Sequence, residues 1–495
     1  MEFATFPKNL AYNIKTLSGF SKTCVKITPD KITVNAGDTF KVKLPTNTIV
    51  DLRTLTWYSK GTCVSGTGDN LHFPRLGLSS LIKTLAVYIN GTLIERIDNY
   101  NILYNKLFDL EGGIDQVAKR HLEIADPSVR YSTTADHTAA TPQICTLAAT
   151  GDDTNRIMAT SSWIGFLSNN SCPCPDTNDL GNIELEITLA NEQVLFAAAA
   201  GTASADTAKN NPTYSLGDIY FTVSKIVMND PLYYNMKSSK LLSTGLQIGY
   251  QTYIASKGSV VAKNSSINVN CTVNSTSLDQ LICCFNPGVP DIKPLLLNGS
   301  NDAGDSLSFQ QSYSGYGRKL IYNGVAFVAG TAGTVPFAII PSVEGQTSVN
   351  IFDNTAGDFY NQSHFFKSDA VGLQSSSIEI NNTPLAPQPL ESAQVFNETL
   401  ISLGNANIDM SSGVHPGLRS LSDFLKYYFA HIVSLENIQH QDFYKSGLDG
   451  KSSALNIVWK LAYSTVSTMS QTPYIFAKTT RILQVNEGGS IVVIV

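Results

Sequence analysis

Apolar and polar positions alternate with a period of two along much of this chain. Thr39–Leu44 places Phe40, Val42 and Leu44 on one side and Thr39, Lys41 and Lys43 on the other, as a strand with one buried face requires. Pro45 closes it, because proline has no N–H to give to a ladder. Lys31–Val34 reads as a strand just before, across the Asn35-Ala36-Gly37-Asp38 turn, and Leu55 and Trp57 alternate with polar neighbours just after. Ile157–Leu167 reads as a strand around Trp163. Ile183, Leu185, Ile187 and Leu189 alternate with Glu184, Glu186 and Thr188, and Ile219, Phe221 and Val223 with Tyr220, Thr222 and Ser224. Leu85–Ile97 carries Asn90-Gly91 between two alternating runs, which predicts a two-residue hairpin with Val87, Ile89 and Ile94 on one face. Tyr100, Leu103, Leu107 and Leu110 recur at helical spacing, with Asp98 placed to cap the start and Gly112-Gly113 to stop the helix.

Asn229-Asp230-Pro231 is a turn signal, and a boundary falls between about 229 and 242. Leu246–Tyr253, Ile267–Val273 and Leu278–Phe285 then open a second set of strands. TFKVKLPTNTIVDLRTLTWY, from Thr39, has an echo in SINVNCTVNSTSLDQLICCF, from Ser266. Identities are few (Val42 with Val269, Asn47 with Asn274), but the order of alternating strand, Thr/Asn/Ser corner and aliphatic-aromatic strand is shared. Each half also closes alike: IELEITLANEQVLF and DIYFTVSKIVM in the first, ALNIVWKLAYSTV and PYIFAKTTRILQV in the second. The chain therefore divides into an arm (1–23), a first β-unit (24–235) and a second (236–495) with insertions at about 290–420. Gly201–Pro212 reads as a small-residue loop and Asn381–Pro389 as a turn-rich connector. Short apolar runs lie at Leu320–Val328 and Val335–Ile340. A helix is predicted after Ser420, with Ser420 and Asp423 as a capping box and Leu421, Phe424, Leu425 and Tyr428 on one face. Ile491–Val495 is a β-branched strand or tail. Many short strands with little helix favour sandwiches or barrels.

Composition sharpens this. Charged residues make up 15% of the 495 positions, against about 25% in ordinary soluble domains. A surface so poor in charge suits a subunit that buries area against neighbours. The net charge of −6 gives no basic footprint for a nucleic-acid binder, although Lys8, Lys15, Lys22 and Lys26 stand against Glu2 in the first 27 residues. No apolar run approaches a membrane span. The opening MEFATFPKNLAYN lacks the basic-then-apolar order of a secretory leader, so cytosolic synthesis and reduced thiols are expected for Cys24, Cys63, Cys145, Cys172, Cys174, Cys271, Cys283 and Cys284. The sequons at Asn90, Asn264, Asn270, Asn274, Asn298 and Asn397 carry little weight on that expectation.

Candidate chemistry is thin. Cys172-Pro173-Cys174 offers two thiols but no second close Cys or His pair to complete a tetrahedral site. Gly315 and Gly317, followed by Arg318-Lys319, read as a turn. His72, His121, His137, His364, His415, His431 and His440 are scattered as surface or packed residues. Glu184 and Glu186 would lie roughly 7 Å apart along one strand face, near glycosidase spacing, but paired glutamates on a wet strand face are the plainer reading. No catalytic, cofactor or metal residue is assigned, and no enzyme activity is expected.

Taken together, the Asn-Ala-Gly-Asp turn into Thr39-Phe40-Lys41-Val42-Lys43-Leu44-Pro45, the Val50-Asp51-Leu52 strand start, and Val87-Tyr88-Ile89-Asn90-Gly91-Thr92-Leu93-Ile94-Glu95 leading through Ile97, Tyr100, Asn101 and Leu103 into a helix resemble a known family. It is the double jelly-roll major capsid proteins of double-stranded DNA viruses, nearest the polinton-like virus and virophage branch. The resemblance implies two consecutive eight-stranded jelly-roll β-sandwiches with short helices and long loop insertions. It implies a homotrimer of pseudo-hexameric outline tiling an icosahedral shell, with long insertions outward and the arm inside or between neighbours. Penton and other minor capsid proteins would be partners, the location the virion, and neither a small-molecule substrate nor sequence-specific nucleic-acid binding is implied. The alternatives are a β-sandwich carbohydrate-binding or adhesion protein, and a β-sandwich glycosidase resting on Glu184 and Glu186.

Overall fold

The computed structural model describes residues 20–64, 69–74, 76–111, 154–169, 172–199, 213–228, 233–235, 237–239, 245–263, 266–287, 295–296, 339–340, 349–350, 366, 368–403, 421, 424–425, 428–436, 447–450, 454–464, 467–486 and 490–494. The first half supplies β1 (Phe20–Ile27), β2 (Val34–Asn35), β3 (Thr39–Lys43), β4 (Ile49–Val64), β5 (Asp69–His72), β6 (Ile82–Ile89), β7 (Thr92–Asp98), β8 (Arg156–Thr160), β9 (Ile183–Leu189), β10 (Phe196–Ala199) and β11 (Thr213–Met228). The second supplies β12 (Leu246–Lys257), β13 (Val261–Lys263), β14 (Ile267–Val273), β15 (Leu278–Pro287), β16 (Leu295–Leu296), β17 (Ile339–Ile340), β18 (Val349–Asn350), β19 (Leu373–Ile380), β20 (Thr383–Pro384), β21 (Ala430–Ser434), β22 (Leu455–Tyr463), β23 (Ser467–Val485) and β24 (Ile491–Ile494).

The halves are wired identically. In the first, one sheet runs β1-β11-β4-β8 and the other β3-β9-β6-β7; in the second they run β12-β23-β15-β21 and β14-β22-β19-β20. Each half is a jelly roll of two antiparallel sheets built on four-strand paths, with β2 added on β11 in the first half and β13 and β24 added on β23 in the second. The echo from Thr39 to Ser266 therefore joins true equivalents, β3 with β14 and β4 with β15. Alternation turns directly into burial. Phe40, Val42 and Leu44 face the core of the first sandwich with Ile183, Leu185, Ile187 and Leu189, and Val269, Cys271 and Val273 face that of the second with Ile457, Trp459 and Leu461. Each such side chain contributes about 1.5–3 kcal/mol.

The two-residue hairpins match as well. Asn90 (φ 50°) and Gly91 (φ 77°) join β6 to β7, and Asn381 (φ 51°) and Asn382 (φ 63°) join β19 to β20. Two successive positive φ values fit a type I′ turn, which asparagine and glycine tolerate. In the first, Asn90 N–H donates to Asn182 O and Asn90 Oδ1 accepts from Asn182 N–H, both at 2.9 Å. In the second, Asn381 repeats both bonds with Asn456, at 2.8 and 2.9 Å. Ile-Asn-Gly-Thr and Ile-Asn-Asn-Thr are thus the same corner used twice.

Several predicted elements shift. Lys31–Val34 contributes only Val34 to a strand, and Phe20–Thr23, read as arm, is already in register with Met228–Lys225. The strand predicted over Ile157–Leu167 stops at Thr160; Trp163 turns inward so that its buried Nε1–H donates to Leu55 O at 2.9 Å. Asp98 does not cap the Tyr100–Glu111 helix, because its Oδ1 accepts from Thr84 Oγ1 and Arg96 Nε within the sheet. The helix Ser392–Ser402 carries a capping box from Glu391 and Gln394 in a stretch where the sequence pattern predicts none; it buries Thr399 and Ser402, which blur an amphipathic pattern. Leu421, Phe424 and Leu425 are helical as predicted, whereas Tyr428, expected on the same helix face, makes a parallel bridge to Ser368. Ser420, Asp423, Gly112-Gly113, Gly201–Pro212, Leu320–Val328 and most of 290–420 lie outside the described residues.

Register also gives the molecule two distinct ends. Phe20 lies opposite Met228 and Leu246 opposite Val485, so both sandwiches start and finish at one end. Val64 lies opposite Thr213 and Pro287 opposite Gln471 at the other. There β16 of the second half pairs with β10 of the first, which pairs with β5, in one small sheet spanning both halves.

Candidate assembly surfaces and the junction between the sandwiches

The two sandwiches are locked together along β7 and β12. Tyr250 Oη donates to Ile94 O at 2.9 Å, and its ring meets Phe166 edge-on at 5.3 Å. Phe166 N–H donates to Glu95 Oε2 at 2.8 Å. The Glu95 carboxyl is fully buried; burial pushes it up to about 7, against the pull of the Thr252 hydroxyl, the Phe166 N–H and the Arg481 guanidinium. Gly165 (φ 80°) is required here, since any Cβ would strike the Glu95 carboxylate. A second tie comes from the Tyr100–Glu111 helix, where buried Lys106 donates through Nζ to Phe366 O at 2.7 Å. Burial lowers the Lys106 pKa against the opposing pull of Asp109.

The connector between the sandwiches is clamped to the first. Lys237 Nζ lies 2.6 Å from both Asp176 Oδ2 and Asp179 Oδ2, and Tyr233 Oη donates to Asp176 Oδ2 at 3.0 Å. Burial opposes ionisation of Asp176, yet Lys237 and the Asn178 N–H together hold its carboxyl below the ordinary range. A cavity of about 400 Å³ opens beside the clamp, lined by Cys172, Cys174, Tyr233, Lys237 and Ile248 among others. Lys237→Met leaves both carboxylates without their shared cation and is expected to destabilise the protein by about 2 kcal/mol. Thermal melting at pH 7 checks this, and an unchanged melting temperature would remove the clamp from the account. Because the Asp176 pKa is depressed, its contribution is present at neutral pH and is lost as pH falls through the folded-state value.

A third feature is a wall. On the outer face of the β1-β11-β4-β8 sheet, Tyr58 stacks on Tyr220 at 4.9 Å and Lys26 Nζ sits 4.1 Å from the Tyr220 centroid. Exposed Ile32 and Ile157 rim the same hollow, with the Lys60–Asp218 ion pair at 2.7 Å beside them. Aromatic and aliphatic side chains on an open sheet face are the material of interface cores.

The residues singled out for chemistry have structural partners. Glu184 and Glu186 lie on the half-buried face of β9, alternating with buried Ile183, Leu185 and Ile187. Both meet Lys41 across the β3–β9 pair, at 3.2 and 3.0 Å, and Glu184 also meets Lys43 at 3.6 Å. Burial raises both Cys172, to about 11, and Cys174, whose Sγ accepts from Arg53 Nη2 at 3.8 Å. All the described cysteines are free, and among the described residues no three metal-ligating side chains cluster. His431 is buried with its pKa lowered to about 4, and its Nδ1 bonds Ser376 Oγ. The side chains of the other histidines, Cys145, and the Gly315–Lys319 turn lie outside the described residues. Of the sequons, Asn90, Asn270, Asn274 and Asn397 are all exposed, Asn90 with its Oδ1 accepting from Asn182 N–H and packed on Gly181; Asn264 and Asn298 are not among the described residues. No helix of the described residues is long and apolar enough to cross a membrane.

Sequence comparison adds nothing to this: no protein-family profile matches the chain, and no curated protein matches it. Solved structures do match. The chain is similar to the PBCV-1 virus capsid in a quasi-atomic structure, with TM-score 0.53 and 12% identity over 97% of this chain and 99% of that one. It is similar to a chain of the Sputnik virophage, with TM-score 0.51 and 11% identity over 99% and 92%. It is also similar to the Faustovirus major capsid protein, with TM-score 0.53 and 7% identity over 95% and 92%. What is shared at these identities is the fold. The chain is a double jelly roll, the architecture of the major capsid proteins of double-stranded DNA viruses.

Proposed function

We propose that this chain is a major capsid protein that self-assembles as a homotrimeric, pseudo-hexameric capsomer of an icosahedral virion. The observation that carries the reading is the doubling itself. Two sandwiches of identical wiring, clasped by Glu95, Tyr250 and Lys106, make one subunit with two similar outlines, so three subunits fill six lattice positions. The division into an arm, a unit ending near 235 and a unit beginning near 236 belongs to this proposal, as do penton and other minor capsid partners. The Tyr58–Tyr220 wall supplies apolar side surface for subunit contacts, and obligate interfaces run above about 2,000 Å². Weak contacts between capsomers then sum through multivalency.

Sedimentation velocity and negative-stain imaging of the purified protein test it. Trimers with a six-cornered outline are expected, and shells or sheets of them at higher concentration. A persistent monomer at micromolar concentration would overturn the reading.

A further inference from the structure

β24 is an edge strand with an unusual surface. It lies antiparallel on β23, Ile494 opposite Ile482 and Ile491 opposite Val485. The same stretch of β23 is held on its other flank by β12. Among the described residues, no strand pairs with the far side of β24. An edge of this kind presents unpaired N–H and C=O groups, and proteins blunt such edges with charge, proline, bulges or a cover. β24 has no charge and no proline. It reads Ile-Val-Val-Ile, with Val495 next in sequence. Its two faces differ: Ile491 and Val493 pack against the core of the second sandwich, while Val492 (48%) and Ile494 (36%) are exposed.

We propose that β24 is a strand-addition site whose occupant is β24 of a second copy of this chain, the two strands running antiparallel about a twofold axis. Directly opposed residues on antiparallel strands share a sheet face. To set exposed side chains beside exposed ones, positions of equal parity must face each other, so the axis passes through a residue. Val492 opposite Ile494 places that axis at Val493. Every position then meets another β-branched side chain, the residue type that pairs best across strands, and no charge is buried. The strand's own sequence thus satisfies both faces of its own edge. So short a pair falls well below the roughly 1,000 Å² of a lasting interface, so it does not hold two monomers together. Repeated between multi-copy particles it adds up. In that respect the inference rests on the capsid reading, with the contact joining one trimer to another.

A cysteine at the axis reads this directly. Opposed Cα atoms lie about 4.5–5.5 Å apart in antiparallel pairs, within disulfide reach. In concentrated protein under oxidised glutathione, Val493→Cys is expected to link chains pairwise on a non-reducing gel. Ile491→Cys is expected to stay at the background that exposed Cys24 sets in the parent. Ile494→Lys, at an exposed position, sets an ammonium opposite the apolar Val492 of the second copy, with the two lysines diagonal to each other across the axis. It is expected to abolish the Val493→Cys link and to weaken association between trimers about tenfold or more, with the trimers themselves unchanged in sedimentation. Trimers that form but show no link above background overturn the strand pairing and leave the capsid reading standing. Monomers that still link through residue 493 overturn the capsid reading and leave the pairing standing. Linking at Ile491→Cys as strong as at Val493→Cys overturns the twofold register.

Discussion

Trp57→Ala is expected to cost about 3–5 kcal/mol of folding stability, a large share of the 5–15 kcal/mol that domains typically have. Trp57 is fully buried at the centre of the first sandwich, 5.5 Å from Phe40 and stacked on Phe221 at 5.9 Å. Those three rings tie β3, β4 and β11 together across the two sheets, so truncation opens a cavity where the sheets meet. Urea or thermal unfolding measures the loss. The conservative changes separate packing from hydrogen bonding. The Trp57 indole N–H is buried without a partner among the described residues, so Trp57→Phe removes an unsatisfied donor along with some volume. Trp459, its counterpart in bulk in the second sandwich, donates from Nε1 to Ser376 Oγ at 2.9 Å, which bonds His431 Nδ1 at 2.7 Å. Trp459→Phe breaks that buried chain and is expected to cost more than Trp57→Phe by about 1 kcal/mol or more. The reverse order would mean that ring volume alone decides.

The second large effect is the pH dependence of the junction. Glu95 has an ordinary value of 4.5 and a folded-state value of about 7, so between those limits the folded state holds a proton that the unfolded chain releases. Stability therefore falls as pH rises from about 4.5 to about 7 and levels off above, by about 3 kcal/mol for a shift of this size. The carboxylate then sits charged between Phe166 on one sandwich and Thr252 and Arg481 on the other, with Tyr100 and Tyr250 close by. Glu95→Gln keeps the shape without the titration. Its melting temperature, taken relative to the parent, is expected to gain from pH 5 to about pH 7 and then to hold level to pH 8. Two curves that stay parallel over that range would show that Glu95 does not titrate there.

Glu95 also marks where sequence patterning fails. In Thr92–Asp98 the alternation puts Leu93 and Glu95 together on the face opposite Ile94, yet Leu93 is 45% exposed and Glu95 1%. A register shift between Val87 and Tyr88 in the paired strand disturbs the ladder here, and the second sandwich covers the side chain that polarity would leave outside. No local signal announces a partner from β12, more than 150 positions along the chain. The Ser392–Ser402 helix lacks a clear local signal for a related reason: its buried face includes Thr399, whose Oγ1 donates to Ala430 O at 2.8 Å. A hydroxyl satisfied by a distant strand reads locally as a solvent residue.

The repeat was legible only in part. The Thr39 and Ser266 segments stand in comparable surroundings and could be laid against each other. Ile-Asn-Gly-Thr at Ile89 and Ile-Asn-Asn-Thr at Ile380, with Asn182-Ile183 and Asn456-Ile457, carry a firmer correspondence, which the paired Asn–Asn bonds make visible. The long β15–β19 connection changes the spacing between equivalents, so no single period aligns them.

The sequence by itself determined which residues form most strands, which face of each is buried, and that the unit occurs twice, because a period of two, proline, and Asn-Gly corners act within a few residues. Only the tertiary structure decided how the units join. The Glu95–Tyr250 contact, the Lys237 clamp, the small sheet across both halves and the open edge of β24 all depend on residues far apart in the chain. Their energies arise from burial and hydrogen bonds that exist only once both sandwiches have formed.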